Sequence, residues 1–157
     1  MRASSPRISV IMPVYNTGKY IAEAIESILN QTFTDIELII INDCSSDRTP
    51  EIIAEYALKD QRIRLINNPQ NSGPAKSRND GILQSHGEYI ALMDADDISH
   101  PNRLEKQVAY LDHHPEVMVL GSSVQKIDPA GNPLEVWRLP VEDKIIRRVR
   151  ETKTTLR

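Results

Sequence analysis

The sequence predicts an α/β fold built on a mostly parallel, doubly wound sheet flanked by helices, on three observations. Short β-branched runs alternate with segments of helical period at least three times along 157 residues, the pattern of parallel strands joined by crossover helices. The runs are continuously apolar, as strands covered on both faces are. The polar residues that interrupt the pattern fall at the carboxyl ends of the runs, the rim where ligands bind in open α/β sheets.

Taken in order, Ile8–Met12 is a first strand ended by Pro13. Apolar spacing at Ile21, Ala24, Ile25, Ile28 and Leu29 predicts a helix within Asn16–Gln31, capped by Asn16 or Thr17. Ile36–Ile41 is a second strand stopped by Asn42 and Asp43. Thr49-Pro50-Glu51 starts a helix with proline in its first turn, running to about Lys59. Arg62–Ile66 is a third strand, and Asn71-Ser72-Gly73-Pro74 opens a third helix that closes by Gly87. Tyr89–Met93 is a fourth strand, and Pro101 begins a helix ended by His113-His114-Pro115. Beyond it, Val117–Val124 reads as a fifth strand. Asp128–Pro133 is turn chemistry between Gln125–Ile127 and Leu134–Arg138, a hairpin. Val141 to about Glu151 can form a last helix.

Bulk properties narrow the function. A net charge of −3 and a pI near 5.8 exclude a general nucleic-acid binder. Six basic and three acidic residues from Val141 to Arg157 make that segment locally positive, a solvated helix face or a contact for an anionic or membrane surface. Cys44 stands alone, so no internal disulfide can form. No apolar run approaches the ~18–20 residues of a membrane span, and the start lacks a signal-peptide core. The expectation is a cytoplasmic protein, with peripheral association at the inner face of the membrane as a further possibility.

The strongest chemical signal is Glu88–Asp97, an apolar run that breaks off into Asp94, Asp96 and Asp97. Carboxylates this close repel one another, and a cation relieves the repulsion. On an extended chain Asp94 and Asp96 point the same way and Asp97 the other. Two hard oxygen ligands at a strand end suit Mg²⁺ or Mn²⁺, above all when a phosphate completes the shell. A calcium EF-hand loop starting at Asp94 would need glycine where Ser99 stands, so it is rejected. Asp43, after the second strand, is placed to accept hydrogen bonds from a nucleobase or ribose, and the alternative is an Asx-turn acid. The glycine-rich dinucleotide fingerprint is absent after the first strand. In the third helix, Arg78 is a candidate contact to a nucleotide diphosphate. Lys76, about 200° away around the axis, is expected to face solvent. Tyr15 can stack on a base, or it can simply sit at the edge of the core.

Four blocks carry a resemblance: Ser9–Asn16, Leu38–Asp43, Asn71–Asn79 and Asp94–Asp97, in that order. Together they resemble the family-2 glycosyltransferases over residues 7–125. The resemblance implies the GT-A fold, a Rossmann-like sheet, and transfer of a sugar from a nucleotide-sugar donor, usually UDP-linked, with a divalent metal. It implies that Pro13, Tyr15 and Asp43 hold the nucleoside and that Arg78 contacts the nucleotide. Asp94 and Asp96 would then hold the metal on the diphosphate. The acceptor would be a sugar or lipid-linked glycan. Residues 1–157 read as one incomplete domain, with 7–97 the nucleotide-sugar-binding half and 98–157 the start of the acceptor-binding half. The family's catalytic base lies well downstream of the Asp-x-Asp, and no residue here is assigned that role. Glu142-Asp143 reads as a helix-start acid pair. The expectation is therefore a shortened chain that keeps the donor half. The alternative is a module that binds a nucleotide or nucleotide-sugar without turnover. A nucleotidyltransferase of related architecture would need a glycine- and basic-rich loop after the first strand, which this chain lacks.

Overall fold

The computed structural model describes residues 5–138, which divide into two compact units, one ending at Tyr110 and the other beginning at Leu111. The first unit is a four-stranded sheet with its crossover helices. The elements are β1 (Ile8–Val14), α1 (Ile21–Leu29), β2 (Ile36–Asn42), α2 (Thr49–Lys59), β3 (Ile63–Asn67), α3 (Pro74–Leu83), β4 (Tyr89–Leu92) and α4 (Arg103–His113). The strands lie in the order β3-β2-β1-β4, every pair parallel. The chain therefore steps outward from β1 to β3 and then returns to the far side of β1. That reversal makes the carboxyl ends of β1 and β4 a topological switch point, the place where such sheets bind ligands.

Strand alternation divides the core in two. Val10, Met12 and Val14 of β1 and Leu38 and Ile40 of β2 pack with Ile21, Ile25 and Ile28 of α1, Ile53 of α2, and Leu104 and Val108 of α4. The intervening residues Ile11, Ile39 and Ile41 form the opposite layer, and α3 covers it. Gly81 permits that approach, because a Cβ there would lie 2.6 Å from Ile41 Cδ1 and 2.7 Å from Ile11 Cγ2. Both faces of β1 and β2 are covered, as their continuous apolar runs require, whereas Ile90 and Leu92 of the edge strand β4 stay exposed on one face.

Pro13 does not end β1. It stays in register opposite Ile41 of β2. Ile11 directs its carbonyl at Met93 on the β4 side, so by alternation the position of the missing proline N–H also faces that side. There it falls just past the last pair, Ile11 with Leu92, where no ladder bond is lost.

The polar exceptions in these strands form one network. Ser9 and Glu37 are register partners, both buried. Ser9 Oγ donates to Glu37 Oε1 at 2.6 Å and accepts the Gly87 N–H at 2.8 Å. Glu37 also takes the His86 N–H at 2.7 Å and Arg64 Nη1 at 2.9 Å, and Arg64 Nη1 reaches the Gln84 carbonyl at 2.7 Å. A buried charge needs such partners, and these tie the α3–β4 connection to the amino ends of β1 and β2.

Two expectations are corrected. Helix α1 begins at Ile21 rather than Asn16, and neither Asn16 nor Thr17 caps it with a side chain. Asn16 sits at φ +52° in a loop, where it has other partners. The fifth strand expected over Val117–Val124 does not form there. Met118 and Val119 are each 89% exposed, so among the described residues nothing buries the apolar side chains of that run. The hairpin does form, from β5 (Val124–Ile127) and antiparallel β6 (Pro133–Trp137). Its turn is held by Asp128 Oδ1, which accepts the Ala130 and Asn132 N–H groups at 2.8 and 2.9 Å. The expected last helix over Val141–Glu151 and the pair Glu142-Asp143 lie outside the described residues. Among the described residues no helix is long and apolar enough to cross a membrane.

Candidate nucleotide site

The loops after β1 and β2 are clasped together. The Asn16 N–H donates to Ser45 Oγ at 3.0 Å, and Asn16 Oδ1 accepts the Ser46 N–H at 2.8 Å. The Thr17 N–H reaches Thr49 Oγ1 at 2.9 Å and the Gly18 N–H reaches Asp47 Oδ2 at 3.0 Å. Asp47 also takes the Thr49 N–H at the start of α2, 3.0 Å away. Asn16 and Cys44 both adopt positive φ, +52° and +63°, which asparagine tolerates better than most residues. The clasp leaves Tyr15 half exposed at the rim, above Pro13.

Asp43 follows directly on β2 and is 2% exposed. Its Oδ1 accepts Asn68 Nδ2 at 2.7 Å and the Ser72 N–H and Oγ, each at 3.0 Å. Its Oδ2 accepts the Gly73 N–H at 2.8 Å and shares that of Ser72 at 3.1 Å. Burial alone would push this carboxyl up. The bonds from Asn68, the Ser72 and Gly73 N–H groups and the Ser72 hydroxyl outweigh it, and its pKa falls to about 2. As the structure stands, its carboxylate is directed to its own chain. It anchors Gly73, which caps α3 at φ +85° and ψ 160°, a conformation only glycine adopts readily.

This low pKa has a measurable consequence. The folded value lies below the ordinary 3.8, so the stabilisation is present above about pH 4 and is lost as pH falls toward 2. It amounts to about 1–2 kcal/mol. Urea unfolding at stepped pH should therefore show a steeper acid loss for the native chain than for Asp43→Asn.

Helix α3 carries the cations. Arg78 Nη2 bonds Asp94 Oδ1, an ion pair between the first turns of α3 and the segment after β4. Lys76 turns away and pairs with Asp80 one turn on, at 2.6 Å. The two cations therefore face apart, as their spacing predicts, and only Arg78 meets the acidic segment.

That segment is not fully extended. The Asp97 N–H donates to the Asp94 carbonyl at 3.3 Å, closing a turn directly after β4. Burial nevertheless alternates: Met93 and Ala95 enter the core, while Asp94 and Asp96 are exposed. Asp97 is exposed as well, so the turn replaces the extended geometry in which Asp97 would point away from the other two acids. Partial burial first, and then the charges of Asp94 and Asp96, raise the pKa of Asp97, and Arg103 opposes the shift. Arg103 itself donates to Ser99 Oγ at 2.7 Å.

Among the described residues there is no group of three or more histidine, cysteine or acidic side chains arranged to hold a metal. Asp94 and Asp96 offer two hard oxygen donors. That set fits a cation that keeps several waters and takes phosphate oxygens, as Mg²⁺ and Mn²⁺ do, and does not form an all-protein cage.

The structure thus brings Arg78 to Asp94 and sets Asp96 beside them. Asp43 is joined to them only through Gly73 and α3. Sequence reasoning missed the clasp of Ser45, Ser46, Asp47 and Thr49 and the bond from Arg103 to Ser99. A signal for the clasp existed in Asp47-Arg48-Thr49, an acid two residues before a helix start.

Comparison with known proteins agrees with this architecture. The family model described as glycosyl transferase family 2 matches residues 9–156. An uncharacterized glycosyltransferase of Methanocaldococcus jannaschii is 44% identical over 135 residues, 85% of this chain and 47% of its own. The glycosyltransferase GlyG of Streptococcus pneumoniae is 37% identical over 128 residues, 82% of this chain and 42% of its own. Among solved structures, S. aureus TarS in complex with UDP-GlcNAc superposes with a TM-score of 0.65 at 28% identity, covering 84% of this chain and 45% of that one. The mannosyltransferase PcManGT of Pyrobaculum calidifontis, in complex with GDP-Man and Mn²⁺, gives 0.65 at 26% identity, covering 79% and 37%. The chain spans about half the length of the curated relatives it matches. With a parallel sheet of order β3-β2-β1-β4, an acid-bearing turn after β4 and a family match over nearly its whole length, the chain belongs to the family-2 glycosyltransferases and has the GT-A fold.

Proposed function

We propose that this chain forms the donor-binding part of a glycosyltransferase. It holds a nucleotide-diphospho-sugar, UDP-linked, over the carboxyl ends of β1, β2 and β4, for inverting transfer to an acceptor hydroxyl in polysaccharide or cell-envelope glycan synthesis. The observation that carries this reading is the meeting of Arg78 and Asp94 at the switch point, with Asp96 outward beside them. Donor complexes of TarS and PcManGT, the second with Mn²⁺, support it.

In this reading Tyr15 and Pro13 flank the nucleoside. Asp43 acts on it through the loop it anchors, Ser72-Gly73, or at close range once that loop shifts. Arg78 faces the diphosphate. Asp94 and Asp96 would hold Mg²⁺ or Mn²⁺, which when bound supplies Lewis-acid stabilisation of the departing nucleoside diphosphate. An inverting reaction also needs a carboxylate to deprotonate the acceptor hydroxyl, and no residue of this chain is given that role. The acceptor is a sugar or lipid-linked glycan, met at the cytoplasmic side of the membrane, and no nucleic acid takes part.

Calorimetry with UDP, GDP and ADP, each with and without Mn²⁺, tests the reading. Metal-dependent binding of one of them is expected. A folded chain that binds none would refute it. The alternative reading is a module that binds the nucleotide-sugar without turnover. Sugar-transfer and donor-hydrolysis assays separate the two.

A further inference from the structure

We infer that Arg78 occupies Asp94 in place of a metal ion, so that the Asp94–Asp96 pair admits a divalent cation only together with a nucleoside diphosphate. The inference rests on the reading of Asp94 and Asp96 as a metal clamp, and it concerns the order in which that clamp is filled.

Three observations lead to it. First, the guanidinium of Arg78 bonds Asp94 Oδ1 directly, so one of the two donor groups is already engaged by a cation. Asp96 makes no hydrogen bond or ion pair among the described residues. Second, no third acidic, histidine or cysteine side chain joins them among the described residues. A bare cation would have to displace Arg78 and would gain only two carboxylates for doing so. The pair is partly exposed, so its bond biases that exchange by about 2- to 5-fold. Third, Arg78 sits in the second turn of α3, and the Asp94 carboxylate is the one anion that it bonds among the described residues. With Asp94 taken by a metal, that anion would be missing.

A nucleoside diphosphate resolves both difficulties. Its phosphate oxygens complete the shell of the cation, and its charge gives Arg78 a new partner as the guanidinium leaves Asp94. Lys76 cannot take this part, because it faces away and is paired with Asp80. The exchange couples the two ligands: each binds weakly alone and tightens the other by the same factor, as linkage requires. Arg78 is then a positioning residue that protects the clamp from unproductive metal and contacts the donor once it arrives.

The test measures Mn²⁺ binding rather than activity, by the paramagnetic resonance signal of free Mn²⁺, on the full 157-residue chain. The native chain should bind Mn²⁺ alone weakly, and UDP or GDP should tighten it tenfold or more. Arg78→Gln should bind Mn²⁺ alone about 2- to 5-fold more tightly than the native chain, and gain less from the nucleotide. Adding Asp96→Asn to Arg78→Gln should remove the gain. Arg78→Lys, which retains a cation, should leave Mn²⁺ alone weak. If Arg78→Gln, folded by circular dichroism, binds bare Mn²⁺ no more tightly while the native chain still shows nucleotide-dependent Mn²⁺ binding, the exchange is refuted and the clamp stands. Equal tightening by Lys and Gln would also refute it. If the native chain binds neither nucleotide with Mn²⁺, the clamp reading itself fails, and the exchange with it.

Discussion

Asp96→Ala should abolish metal-dependent nucleotide binding and leave the fold intact. Asp96 is exposed, while its neighbours Met93 and Ala95 are core, so the substitution removes a ligand and no packing. Loss of one charged ligand to a metal–diphosphate complex should weaken binding about 100-fold, or close to 3 kcal/mol. Thermal stability should stay within about 0.5 kcal/mol of native. A slight gain is expected, because Asp96 is one of the charges that raise the pKa of Asp97. Calorimetry with UDP and GDP in Mn²⁺, beside a melting curve, checks both. Unchanged nucleotide binding would remove Asp96 from the site.

Glu37→Ala should do the reverse, costing stability and sparing the site. Glu37 is buried where β2 begins, and the proposed nucleotide rim lies at the other end of the strands. The substitution strips the acceptor from the Ser9 hydroxyl and the His86 N–H, and the counter-charge from Arg64. Breaking a buried pair costs about 3–5 kcal/mol. Here the lower end applies, because the Arg64 side chain is 37% exposed and can be rehydrated. Glu37→Gln keeps an acceptor for Ser9 and His86 and should cost about half as much. Burial tends to raise the pKa of Glu37, but the bonds from Ser9, Arg64 and His86 win and lower it below the ordinary 4.5. The sign matches that of Asp43: the contribution is present above about pH 4.5 and fades on acidification. Urea titrations of both variants at pH 7 and pH 4 measure it. A Glu37→Ala chain as stable as native would mean that the network contributes nothing net.

These two residues show how differently the sequence speaks of site and scaffold. Asp96 was legible because three acids break off an apolar run, a pattern that tertiary packing need not supply. Glu37 stands alone within Ile-Glu-Leu-Ile-Ile-Ile, and nothing nearby in sequence names its partners. They arrive from β1, β3 and the α3–β4 connection, which only the strand order brings together. Asn16 is a similar case. It is a good helix cap by composition, but the neighbouring loop offers it Ser45 and Ser46, and those non-local bonds displace the cap. The strand expected at Val117–Val124 had the right residues, but among the described residues nothing covers Met118 and Val119, so propensity was not enough.

What the sequence alone determined is the succession of strands and helices, the burial of β1 and β2 on both faces, and the rim at which the polar residues gather. These follow from period, punctuation and charge spacing, which are local. Only the tertiary structure decided that Asp43 is sealed against Ser72 and Gly73, that Arg78 and not Lys76 meets Asp94, and that Arg103 bonds Ser99. The first two of those outcomes depend on which loops the β3-β2-β1-β4 order sets side by side. A buried carboxylate takes whatever donors lie within reach, because leaving it without them costs more than any local preference can return.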